Sequence, residues 1–388
     1  MRKHLMKYLY ILLPALMSSF SLSTDAQKIK IGNYTFKNGA TYTGELSGGK
    51  PNGKGRTEFP NGDIYEGDYV KGLREGKGIY IFPDGEKYDG SWVKDQQHGY
   101  GVYYFQNNNR YEGLWYKDFQ QGKGTMYYYN GDKYVGEWNE DKRNGKGKYT
   151  YASGVYYEGQ WKDDKKCGKG LFDWKDGSKY DGEWMNNVRN GKGTFYYADG
   201  DKYIGDWVDD IQQGRGIYHF RNGDVYEGDY QQGERTGSGI FTYANGDKYV
   251  GNFKDGEQFG TGTFYWKNGA TYEGQWVGNV QNGKGKYTWA NGDVYEGQWK
   301  NGKFHGEGVL RTVDGMRFKG SFVNGMRHGK GISEDKDGNR FEGTFKNDLK
   351  DGPFVERDKN GNEVNRGYYK NDRLVTETEK SKDESEEK

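Results

Sequence analysis

An aromatic residue returns every 23 positions from Tyr42 to Phe341 without a single insertion, and that period decides what this chain can become. Tyr42, Tyr65 and Tyr88 open the series, and Tyr295, Phe318 and Phe341 close its fourteen members. Two residues after each stands glycine, from Gly44 to Gly343. Four residues after it comes a large side chain, tryptophan in eight units and Leu46, tyrosine or phenylalanine in the others. Eleven and thirteen residues after it come two more glycines, as in Gly145 and Gly147; only Phe354 breaks the second of these series. Most units end on Asn-Gly or Asp-Gly, such as Asn61-Gly62 and Asn291-Gly292. A 23-residue piece cannot bury a face alone, so the units must stack on their neighbours.

Tyr-x-Gly-x-Trp alternates with period two, as does Gly147-Lys-Tyr149-Thr-Tyr151, and both read as strands. No 3.6-residue pattern occurs in the body, and the glycine density opposes helix. Each unit is therefore two short strands, linked through its Asn-Gly turn to the first strand of the next. Placing Tyr151 and Tyr157 on one face needs an odd connection. The expectation is a three- or five-residue turn with Gly154 left-handed. Glycines on the aromatic face leave flat gaps for neighbouring rings.

Composition supports a folded array with an aromatic interior. Glycine fills 65 positions, tyrosine 36 and tryptophan 11, while aliphatic residues are scarce. The 58 basic residues nearly cancel the 57 acidic ones, which gives no basic footprint for nucleic acid. The first residues differ in kind: Arg2, Lys3 and Lys7, an apolar run to about Phe20, then Thr24 and Ala26 two apart. This is the layout of a secretory signal peptide cleaved after Ala26, and the apolar run is short of the ~20 residues a spanning helix needs. The lone Cys167 excludes an internal disulfide and occupies a slot that other units fill with Asn, Gln or His.

Tyr-Glu-Gly-x-Trp followed by Gly-Lys-Gly-x-Tyr-x-Tyr and Asn-Gly, as in Tyr272–Gly292, resembles the MORN repeat. The resemblance implies an all-β fold, an elongated single-layer array of about 14 antiparallel β-hairpins. It also implies scaffolding or membrane association rather than chemistry. The expected division is a signal peptide at 1–26, a lead-in at 27–35, the repeat array at 36–352, a degenerate capping repeat at 353–375 and a charged solvated tail at 376–388.

Three sets of residues invite a functional reading. The residue between Tyr and Gly is acidic in nine units, and the residue between the paired glycines is basic in nine. Lys123, Lys146, Lys169 and Lys192 belong to the basic ladder. These ladders either pair across strands or form a stripe for phospholipid headgroups, aided by backbone N–H groups beside the glycines. Trp138, Trp161, Trp184 and Trp207 lie in register and serve either as core or as a partner-binding or glycan-binding ladder. His98, His305 and His328 share one slot, but units ~9.6 Å apart keep two of them from ligating one metal. No Gly-x-Ser-x-Gly elbow, Cys-x-x-Cys pair or dinucleotide fingerprint occurs. The reading is a non-catalytic scaffold for protein partners in a bacterial envelope or secreted space, with no cofactor and no metal. Phospholipid through the basic ladder and glycan or cell wall through the aromatic face are the alternatives.

Overall fold

A computed structural model describes residues 29–375; the signal-peptide and tail assignments lie outside them. Among the described residues there are 31 strands and no helix. They form two units, one ending at Phe119 and the other running from Gln120. Within each unit the strands form an open antiparallel sheet in which each strand pairs with the next in sequence.

One repeat of the second unit shows the construction. The strand Tyr156–Lys162 pairs with Lys142–Thr150 before it and Lys165–Asp173 after it. The connection through Gly154 is the odd turn that parity requires. Tyr151 N donates to Val155 O at 2.8 Å, three residues lie between, and Gly154 has φ 87°. The other connection gave no glycine signal. Asp163 and Asp164 have φ 47° and 65°, a two-residue hairpin with both residues left-handed. Asp and Asn tolerate that region better than most residues, which is why the turn hides in ordinary polar sequence.

The two glycines of Gly-x-Gly do different work, although they were expected to share the aromatic face. Gly147 lies opposite Gly159, and the Tyr134 ring covers it; an added Cβ would sit 2.5 Å from Tyr134 Cε2. Gly145 instead has φ 88° and sits in a bulge, where the register between Gly136 and Trp138 is interrupted. A Cβ there would meet Glu137 on the opposite face. The extra residues come as a pair, so the bulge leaves the inward sense of Tyr149 unchanged.

The core is a ladder of rings on one face. Twelve tyrosines that open units, from Tyr42 to Tyr295, are fully buried. Tyr157 meets its own Trp161 edge-on at 5.2 Å and Trp184 of the next unit at 5.3 Å. Its hydroxyl donates to the Gln160 carbonyl at 3.0 Å. Burial pushes that hydroxyl's pKa upward. Each such ring pair is worth about 0.5–1.5 kcal/mol beyond its buried area. The ladder therefore accumulates stability unit by unit.

Candidate functional site

The four tryptophans singled out from sequence are part of that ladder. Trp138, Trp161, Trp184 and Trp207 are 3–6% exposed. The indole N–H of Trp161 donates to Gly147 O at 3.1 Å, and Trp184 and Trp207 repeat the bond to Gly170 and Gly193. Cations close three of them off further. The Arg143 guanidinium lies 4.3 Å from the Trp161 ring, Lys166 Nζ 4.4 Å from Trp184, and Arg189 4.3 Å from Trp207.

This cation slot escaped the sequence reading. Arg143 holds the next hairpin turn as well as the ring: its backbone N–H and Nε donate to Asp164 Oδ1 at 3.0 and 2.9 Å. Arg74, Arg189 and Arg327 repeat the clamp on Asp95, Asp210 and Asp348. The signal was present as Arg followed 21 residues later by Asp. Lys166 fills the slot in one unit, facing Asn187 instead of Asp. Burial among Tyr157, Phe172 and Trp184 brings its pKa down to about 8, against the opposing pull of Asp210. Beside it, burial pushes the Cys167 thiol up and lowers its nucleophilic fraction at neutral pH.

The opposite face carries the charges, but the two ladders do not face each other. The basic position lies across from the residue after the glycine: Lys146 opposite Gln160, Lys169 opposite Glu183, Lys192 opposite Asp206, Lys123 opposite Glu137. The acidic position instead faces the residue after the paired glycines, as Glu158 faces Lys148 and Leu171. Lys192 pairs with Asp206 at 2.9 Å while remaining 82% exposed, and Lys148 pairs with Glu158 at 3.0 Å. The expected pairing of the two ladders is thus replaced by two separate sets of cross-strand pairs.

The backbone N–H groups that seemed available to anions are also committed. Lys54 N–H donates to Glu45 at 2.9 Å, Lys77 to Asp68 at 2.9 Å and Lys284 to Gln275 at 2.7 Å. An acceptor side chain from the preceding strand therefore caps the glycine bulge. Lys123, Lys146, Lys169 and Lys192 keep exposed side chains above it.

This face is also where the second unit is hollow. A groove of about 1380 Å³ has a glycine floor with Ile240, Val250 and Val309, and charged and amide side chains, among them Arg215, Glu273, Gln275, Lys284, Glu296 and Lys319. A second hollow of about 620 Å³ shares Arg215 and Glu227 with it and extends to Lys169 and Lys192. The largest side chains of every repeat crowd the other face, so the sheet hollows on the side with less volume to place. Among the described residues no cluster of three or more His, Cys, Asp or Glu side chains could hold a metal ion. His305 and His328 stand in separate repeats, each with a buried Nδ1 that has no hydrogen-bond partner among the described residues.

Fourteen consecutive matches to the MORN repeat model, each of 23 residues, cover residues 42–363. The chain belongs to the MORN-repeat family. MORN repeats form scaffolds for protein or membrane interaction, and the family is generally non-catalytic. No curated protein matches the chain. Among solved structures, the TCP domain of SAS-4 in complex with a proline-rich motif of Ana2, from Drosophila melanogaster, is 12% identical. The match covers 45% of this chain and 82% of that one with a TM-score of 0.24. The G-box domain of the microcephaly protein CPAP is 11% identical over 52% of this chain and 99% of that one, TM-score 0.26. Virginiamycin B lyase from Staphylococcus aureus is 10% identical over 81% and 94%, TM-score 0.12. At such scores these likenesses carry no argument.

Proposed function

We propose that this MORN array is a non-catalytic scaffold that binds a protein partner of mixed charge through its polar face, in the cell envelope or secreted space. The observation that carries the reading is the groove of about 1380 Å³ between Arg215 and Lys319, where acids, bases and amides surround a floor of glycines and aliphatic side chains. The amino-terminal basic and apolar pattern supports the location. Burial of Trp138, Trp161, Trp184 and Trp207 argues for moving the contact from the ring face, where sequence reasoning centred it, to this one.

The test is affinity capture on the immobilised full chain from native envelope fractions, repeated with Lys284→Glu combined with Lys319→Glu. The reading requires loss of the captured partner at unchanged melting temperature. Capture that survives the double change would sink the groove as the contact. Headgroup binding stays as a second reading because Lys123, Lys146, Lys169 and Lys192 are solvent-exposed on the same face. Co-sedimentation with anionic vesicles, lost on reversing those four lysines, would favour it.

A further inference from the structure

The first and last strands each leave an edge open. Among the described residues, Lys30–Thr35 pairs only with Thr41–Ser47, and Arg373–Val375 pairs only with the end of Glu363–Lys370. The outer side of Glu363 to Gly367 is thus without a partner strand; all five residues are exposed, Val364 at 63%. At the other end Ile31 is 83% exposed. Phe36 N donates to Ala40 O, on the side of the second strand. Backbone groups alternate between the two sides of a strand, so those of Asn33 and Thr35 point outward. Open edges of this kind accept a further strand.

The two short end strands are the halves of one repeat strand. Tyr369 faces Leu374 as Trp138 faces Arg143, so Arg373–Val375 matches residues 142–144 of a complete unit. Lys30–Thr35 matches the remainder, residues 145–150, with Gly32 and Tyr34 in the places of Gly147 and Tyr149. We propose that a second copy of the chain supplies the missing half, head to tail. Its Lys30–Thr35 continues the line of Arg373–Val375 along Glu363–Gly367. Gly32 then faces Gly367 and Asn33 faces Arg366, the register that sets Gly147 on Gly136 and Lys148 on Val135.

Two leucines select this occupant. Arg143 covers Trp161 of the next unit, and Arg74, Arg189 and Arg327 cover Trp92, Trp207 and Phe345 in the same way. Leu46 is the one non-aromatic residue among the fourteen large side chains; it is half-buried, whereas the other thirteen are buried. Leu374 fills the cation slot of the last hairpin and is 55% exposed. Head-to-tail pairing sets Leu374 of one copy against Leu46 of the next, apolar on apolar. Asn365 stands where other units have the buried Tyr, and the Phe354 ring lies over Gly367 in its stead: an added Cβ there would be 3.1 Å from Phe354 Cε1. Two Lys30–Thr35 edges paired with each other through Gly32 would instead set Tyr34 against Lys30 and leave both copies of Leu46 uncovered. A head-to-tail contact does not close on itself after two copies, so growth continues past the dimer. The junction is one strand wide, below the ~1,200 Å² of standard interfaces, and therefore weak.

The experiment is sedimentation velocity of the full chain from micromolar to near-millimolar concentration. Mean mass should rise with concentration and pass the dimer. Asn33→Pro removes an outward N–H from one edge, and Leu374→Asp sets a charge against Leu46 at the other. Either change should weaken association about tenfold or more at an unchanged melting temperature. Each variant keeps one intact edge, so an equimolar mixture of the two should form dimers and stop there. The groove variants Lys284→Glu and Lys319→Glu should assemble as the unmodified chain does, which separates this contact from the partner-binding one. A chain that stays monomeric throughout would overturn the proposal and assign the edges to its own residues before Ile29 or after Val375. Growth of the unmodified chain that ends at a dimer, or that is indifferent to both changes, would overturn it as well.

Discussion

The two faces of the second unit follow different rules. On the ring face, unit after unit places a buried Tyr over a glycine pair, a Trp or smaller ring against it, and often a cation above. On the polar face the same positions change chemistry freely: the slot held by Lys146 becomes Ser238, Thr261 and Glu307 in later units. Uniformity marks what each repeat needs in order to stack, because every ring touches the next unit. Variation marks surface that stacking does not constrain, and that is where a partner can be specified. Substitutions should separate the faces accordingly.

The largest effect is expected at Gly147→Val. Its Cβ would overlap the Tyr134 ring, and the cost should reach about 3 kcal/mol, the upper end for overpacking. Damage should stay near the altered unit, because repeat arrays couple mainly to their neighbours. Hydrogen exchange should show lost protection from about residue 134 to residue 161 and retained protection at residues 272–300. Uniform loss would mean that the second unit unfolds as a single cooperative block.

Next comes Arg143→Ala, which removes a cation from the Trp161 face and the clamp on Asp164. With the guanidinium largely shielded, the expected cost is about 1–2 kcal/mol, read as a lower urea midpoint. An unchanged midpoint would place this cation outside the core.

A smaller effect follows from Lys166, whose folded pKa of about 8 lies below its ordinary value of 10.5. Between those values the unfolded chain holds more protons than the folded one, so this group's contribution to stability rises with pH. Above about pH 10 the buried tyrosines, whose pKa values burial raises, oppose it: unfolded tyrosines ionise there, and stability falls. Lys166→Met should flatten the rise from pH 8 to 10 in urea midpoints and leave the alkaline fall. A rise that persists in the variant would remove Lys166 as its source.

The smallest effect belongs to the polar face. Lys148→Ala breaks an ion pair with Glu158 whose partners are 42% and 60% exposed, and should cost no more than about 0.5 kcal/mol. A melting shift as large as that of Arg143→Ala would erase the distinction between the faces.

Much of the fold was legible because its determinants repeat in the sequence itself. The 23-residue step, the period-two strands and the left-handed Gly154 follow from residue type alone. The Asp163-Asp164 turn was not legible, since polar residues in left-handed conformations look like any loop. The charge ladders were visible, but their partners were not. The turn through Gly154 sets the register with the following strand, which places Lys146 against Gln160 and Lys148 against Glu158, while the bulge at Gly145 takes Lys146 out of the ladder with the preceding strand. The tryptophans show a further limit: the pattern could not say whether their ring face was open or closed. That depends on Arg143 and Lys166, which come from the preceding hairpin.

The separation of faces is tested most directly by measuring partner binding and melting together on two double variants of the full chain. Trp161→Phe with Trp184→Phe should lower the melting temperature, since two indole N–H bonds to glycine carbonyls are lost at about 1 kcal/mol each, and leave binding unchanged. Lys284→Glu with Lys319→Glu, which face Gln298 and Val309 and oppose no acid, should do the reverse, abolishing binding at a constant melting temperature. Binding lost in the tryptophan variant before any change in melting would contradict the account and return the contact to the ring face.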